Sequence, residues 1–193
     1  MTTHSLVEDD CRDLSFVADA SVHLIITHPP SPASFGEPAP PRRFPATSGY
    51  ESYLAELGGV LAECERVLAP GGHFAFVASP VARSEEELPF SADLQARMCS
   101  LGLDPARSIR WVPSLTVEPD GAAFYGAPNQ PCGAPPGDGQ DILVLRKPGE
   151  RRVSVETQVA SRLPADYFAA CSSSVWLIPE ETDPLHPQSF PLE

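Results

Sequence analysis

"YESYLAELGGVLAECERVLAPGGHFAFVAS", residues 50–79, carries two hydrophobic periods in succession. From Tyr50 through Tyr53, Leu54, Leu57, Val60, Leu61, Cys64, Val67 and Leu68, apolar residues recur at steps of three and four, the stripe of an amphipathic helix. Ser48 and Glu51 have the spacing of a capping box at its start. Pro70-Gly71-Gly72 has the chemistry of a stop, with proline unable to continue a helix and glycine free to take positive φ. "HFAFVAS" (73–79) then reads as a strand. Gly58 and Gly59 weaken the helix by roughly 1 kcal/mol each relative to alanine, so packing of its apolar face must hold it.

Upstream, "SVHLIIT" (21–27) reads as a short strand whose contiguous Leu24, Ile25 and Ile26 suit a sheet buried on both faces. It runs into His28-Pro29-Pro30-Ser31, where the strand must end because proline cannot donate to a sheet ladder. Residues 31–47 form a Pro-rich loop. Downstream, Glu85-Glu86-Glu87 reads as a solvated helix start. "SADLQARMCSLG" (91–102) is a helix stopped by Gly102, and "SIRWV" (108–112) a strand. A second Pro/Gly-rich loop fills 113–140, and "DILVLRK" (141–147) is a strand closed by Pro148-Gly149. The remainder is mixed, with an apolar "VWLIP" at 175–179. Strands alternating with helices imply an open α/β sheet with right-handed crossovers. Two organisational units are expected: a partial α/β domain over 1–149 and a loop-rich recognition or docking tail over 150–193.

Composition narrows the function. The chain has 193 residues, 23 prolines and a net charge of −13, with Lys147 its only lysine. Phosphate neutralisation supplies most non-specific DNA affinity, so any contact with nucleic acid needs a partner or a local basic patch. Arg42-Arg43 in the first Pro-rich loop and Arg146-Lys147 after the last clear strand are the candidate patches. The five cysteines (Cys11, Cys64, Cys99, Cys132, Cys171) form no CxxC pair, which argues against a disulfide framework or a zinc site and suits a reducing cytoplasm. No metal site is expected. No signal-peptide pattern and no membrane-length apolar run is present, so the expectation is a cytoplasmic protein with no membrane partner.

Four segments resemble, in order, the amino-methylating DNA methyltransferases of the beta arrangement. "LVEDDCRDLSFVADASVHLIITHPPS" (6–31) is similar to that family's Gly-Asp-Cys, apolar strand and Ser/Asp-Pro-Pro-Tyr corner. "YLAELGGVLAECERVLAPGGHFAFV" (53–77) resembles the helix, Pro-Gly-Gly and strand that follow. "DILVLRKPG" (141–149) resembles the late hairpin strand, and "VWLIPEETDPLHPQSFP" (175–191) the stretch before the Phe-x-Gly-x-Gly loop. The Ser-type members, which methylate cytosine N4, look nearer than the adenine ones.

The resemblance implies an incomplete S-adenosylmethionine-dependent methyltransferase sheet of the Rossmann-like kind. Amine methylation needs no covalent intermediate; it needs a flipped base held with its nitrogen aimed at the donor methyl. In the family the Ser/Asp side chain and the first proline carbonyl accept the amine hydrogens, and the aromatic residue stacks on the base. Carried over, His28 occupies the Ser/Asp position, Pro29 and Pro30 match, and Ser31 stands where the aromatic would be. Asp10-Cys11 match the Asp-Cys pair at the cofactor end of the sheet.

Two departures concern the corner. Histidine is bulkier than serine, and Ser31 forfeits base stacking worth about 1–3 kcal/mol, which Phe35 could replace. A third concerns the glycine loop, expected after residue 190 and not found before Glu193. The reading that follows is one subunit of a two-chain DNA amino-methyltransferase, as in restriction–modification. A second chain, carrying the glycine loop or homologous to a methyltransferase subunit, supplies the S-adenosylmethionine pocket and covers the exposed sheet edge. The isolated chain is then expected to be inactive and not to bind the cofactor. The alternative is a non-catalytic DNA-recognition or assembly subunit that kept the fold.

Overall fold

The computed structural model describes residues 3–29, 49–79, 81–83, 86–112, 139–151 and 153–178. Strand β1 (Val22–Thr27) is followed by helix α1 (Tyr50–Val67) and strand β2 (Leu68–Ala78). A small antiparallel pair, β3 (Val81–Arg83) and β4 (Glu86–Leu88), precedes α2 (Phe90–Ser100), then β5 (Asp104–Val112) and β6 (Gln140–Arg146). Short helices α3 (Val155–Ala160) and α4 (Ala165–Cys171) lead to β7 (Val175–Leu177).

Strands β1-β2-β6-β5-β7 form one mixed sheet in that order. β1 runs parallel to β2, β6 is antiparallel to both β2 and β5, and β7 is parallel to β5. The β1–α1–β2 and β2–α2–β5 segments are therefore crossovers between parallel strands, and β6 fills the slot the second one leaves open. The expected α/β architecture is present, with an antiparallel strand inside it.

Alternation sorts the sheet into two faces. One face presents Ile25, Phe74, Phe76, Ala78, Leu143 and Leu145 beneath α1 and α2, and this is the main core. Tyr53, Leu54, Leu57, Leu61 and Cys64 from α1 meet Phe90, Leu94 and Met98 from α2 there. The two helices are also tied by Tyr50 Oη donating to Asp93 Oδ2 at 2.7 Å. On the opposite face Ile109, Trp111 and Ile142 bury a second, smaller cluster.

Several element boundaries differ from the sequence expectation, each for a local reason. The N-cap of α1 is Gly49 with no side-chain cap, so the Ser48–Glu51 capping box does not start the helix; Ser48 itself lies outside the described residues. Pro70-Gly71-Gly72 lies inside β2, because the chain is already extended at Leu68. A proline disfavours helix in the residue before it, here Ala69, and cannot continue a helix itself, so α1 has to end before Pro70. Gly71 adopts φ 73°, and a Cβ there would lie 2.6 Å from the Arg151 backbone nitrogen. Glu86 and Glu87 are in strand β4 rather than a helix start: Pro89 is the N-cap of α2, and it biases Leu88 toward extended backbone. From the 150–193 region β7 joins the main sheet beside β5, and Ser154 caps α3 by accepting from Thr157 N at 3.1 Å. No helix among the described residues is long and apolar enough to cross a membrane.

Candidate functional site

The parallel strands β1 and β2 end side by side, and ligands of open α/β sheets bind outside such carboxyl ends. β1 stops at Thr27, with His28 and Pro29 immediately beyond. β2 stops at Ala78, with Ser79 immediately beyond. The two rims are joined by His28 Nε2 and Ser79 Oγ at 3.2 Å. Partial burial lowers the His28 pKa from its ordinary value, so the imidazole is neutral at neutral pH, with one donor and one acceptor nitrogen.

Ser79 also lines a cleft of about 200 Å³ between the strand rims and the start of α2. Its polar lining is Ser91, Arg110 and Asp141. Register brings them together: Asp141 opposes Ala78 across the β2–β6 ladder and Arg110 across the β5–β6 ladder. Arg110 Nη1 pairs with Asp141 Oδ1 at 2.9 Å, and Ser91 Oγ donates to Asp141 Oδ2 at 2.8 Å. Sequence reasoning missed this group. Its members come from two strands and a helix, and the one local signal is a charged residue opening the apolar run "DILVL".

The residues singled out from sequence do not all converge. His28 and Pro29 lie at the rim; Pro30, Ser31, Arg42 and Arg43 lie outside the described residues. Asp10 and Cys11 are exposed on the segment that leads into β1. The Asp10 carboxylate is chelated by Arg12, whose Nε lies at 2.9 Å, and this holds its pKa at about 2. Partial desolvation of the thiol raises the Cys11 pKa although the residue as a whole is exposed, and the neighbouring Asp10 charge adds to it.

Arg146 and Lys147 sit at the opposite end of the sheet, since Arg146 opposes His73 while Asp141 opposes Ala78. Those two registers are separated by roughly 17 Å of strand. Lys147 Nζ pairs with Glu65 Oε1 at 2.9 Å and donates to the Glu65 carbonyl, tying β6 to α1. Arg146 donates to the Gly149 carbonyl at 2.6 Å.

This α/β sheet, with an antiparallel strand between two parallel ones, matches the Rossmann-like fold of solved S-adenosylmethionine-dependent methyltransferases. It matches at TM-score 0.65 a protein assigned as a DNA modification methylase in Thermus thermophilus, with 33% identity over 89% of this chain and 66% of that one. The same protein complexed with S-adenosyl-L-methionine matches at TM-score 0.67 and 32% identity, over 89% of this chain and 65% of that one. The chain thus spans just under two thirds of that relative's length. The PvuII cytosine-N4-specific DNA methyltransferase matches at TM-score 0.57 over 92% of this chain and 57% of that one; at 14% identity the likeness is one of fold. No protein-family model and no curated protein sequence matches the chain.

Proposed function

We propose that this chain is the target-amine half of an S-adenosylmethionine-dependent DNA amino-methyltransferase, with cytosine N4 as the preferred acceptor, and that a second protein chain completes the enzyme. The observation that carries this reading is the state of β1. Among the described residues its only strand neighbour is β2, and Leu24 and Ile26 beside the open edge are 56% and 69% exposed. The strand that delivers His28 to the rim is thus an apolar edge, which proteins ordinarily cover.

The described residues do not fit a cofactor cradle of their own. Gly71 faces Arg151, Gly72 faces Ala69 and Leu68, Gly139 faces Trp111 and Gly149 faces Pro70, whereas Gly49, Gly58, Gly59 and Gly102 have nothing within 4 Å of a Cβ position. In this reading the methyl-donor pocket belongs to the completing chain. This chain's part is to hold the amine. Pro29 contributes a rigid corner and a carbonyl acceptor, and the neutral His28 ring accepts from the amine or orients it. The Thermus relative that was solved with S-adenosyl-L-methionine supports this class of chemistry.

The test combines this chain, a candidate glycine-loop partner, DNA and labelled cofactor, and compares His28→Ala with wild type after thermal melts establish equal folding. Loss of label incorporation in the variant, with no incorporation by either chain alone, is expected. Unchanged incorporation makes the chain a non-catalytic recognition or assembly subunit.

A further inference from the structure

In addition to the His28-Pro29 corner, the cleft beside Ser79 contains a charged pair, Arg110 and Asp141. Arg110 and Asp141 are 39% and 30% exposed at their side chains, so neither is sealed in the core. Arg110 places one nitrogen, Nη1, on Asp141, and a guanidinium has five N–H donors. Each Asp141 oxygen carries one hydrogen bond, from Arg110 or from Ser91, and retains further lone-pair capacity. The pair therefore offers the cleft a fixed acceptor next to fixed donors, with no net charge. Such a lining disfavours a free anion, because Asp141 opposes it. It suits a planar neutral group with a donor and acceptors along one edge.

We propose that Arg110 and Asp141 read the base that the site accepts. Asp141 takes one hydrogen of an exocyclic amine, leaving the other to the Pro29 carbonyl with His28 orienting rather than accepting, and Arg110 donates to adjacent ring-nitrogen and carbonyl acceptors. Cytosine presents that pattern in full: one amine, one ring acceptor and one carbonyl acceptor. Adenine lacks the carbonyl, and thymine presents a carbonyl where the amine must be, facing the carboxylate. The inference rests on the base-presenting reading above and assigns its specificity. Ser91 is a positioning residue, since it fixes the Asp141 carboxylate rather than touching the base.

The experiment titrates the full chain with 2′-deoxycytidine, 2′-deoxyadenosine and thymidine, following protein amide shifts by NMR, for wild type, Asp141→Asn and Ser91→Ala. Wild type is expected to bind deoxycytidine at millimolar concentration, deoxyadenosine less well and thymidine least. Asp141→Asn is expected to lose about tenfold or more of the deoxycytidine affinity and most of the preference over thymidine. Ser91→Ala is expected to retain the order of preference at reduced affinity. Equal binding of all three nucleosides by wild type, no binding of deoxycytidine, or an unchanged preference in a folded Asp141→Asn protein overturns the proposal. Failure of the wider reading looks different: base preference would follow Asp141 while no partner yields methyl transfer.

Discussion

His28 is where chemistry and stability meet at the scale of one residue. Its folded pKa is lowered by burial from 6.5, so the unfolded chain binds the proton more readily than the folded one. The associated stability is fully present above about pH 6.5 and is lost as pH falls through the lower folded value. A His28→Gln protein is therefore expected to show a shallower fall in melting temperature than wild type between about pH 7.5 and about pH 5. In a two-dimensional NMR titration the wild-type His28 ring is expected to have its midpoint below 6.5. Some slope must survive in the variant, because the His73 pKa is lowered as well, by burial first and then by the Arg146 and Arg151 charges. At this scale the sequence was partly informative. His28 and Pro29 stand at the strand rim because proline punctuation is a local property. Arg110 and Asp141 could not be paired from sequence, since 31 positions separate them and only strand register joins them.

Helix α1 is the element on which the fold turns, and its stripe was readable because 3.6-residue periodicity is independent of what the face packs against. Its weak point is equally visible. Gly58 and Gly59 lie in the helix interior, and a Cβ on either meets nothing within 4 Å. Gly59→Ala is expected to raise unfolding free energy by about 0.5–1 kcal/mol in urea melts. Leu57 on the opposite side is 2% exposed within the main core. Leu57→Ala is expected to cost about 2–5 kcal/mol, the range for an aliphatic truncation that leaves a cavity. Element ends were less readable than element centres. Ser48 has the right chemistry for a cap, yet Gly49 occupies that position. Two further boundaries, at Leu68 and Phe90, fall beside the prolines at 70 and 89, which cannot lie in a helix interior and bias Ala69 and Leu88 toward extended backbone.

Over the whole molecule, both edges of the sheet are open among the described residues: β7 pairs only with β5 and exposes Val175 and Leu177, and β1 pairs only with β2 and exposes Leu24 and Ile26. Ile26→Glu is expected to leave the stability of the isolated chain within about 0.5 kcal/mol, as for surface substitutions generally. In the two-chain reading it should abolish co-elution with the partner on gel filtration; retained assembly would place the interface elsewhere. Net charge acts at the same scale. With −13 overall and Lys147 paired to Glu65, the isolated chain is expected to bind duplex DNA weakly, measured by fluorescence anisotropy at low salt.

By itself the sequence determined the alternation of strands and helices, the amphipathic α1, the proline-terminated rim at His28 and the acidic balance. Each of these depends on neighbours close along the chain or on composition alone. Only the tertiary structure decided the strand order, the antiparallel β6 between two parallel strands, the arrival of Asp141 beside Ser79 and Arg110, and the separation of Arg146-Lys147 from that rim. Those are properties of register between distant segments. Register is set by which apolar faces bury together, a choice that local spacing does not encode.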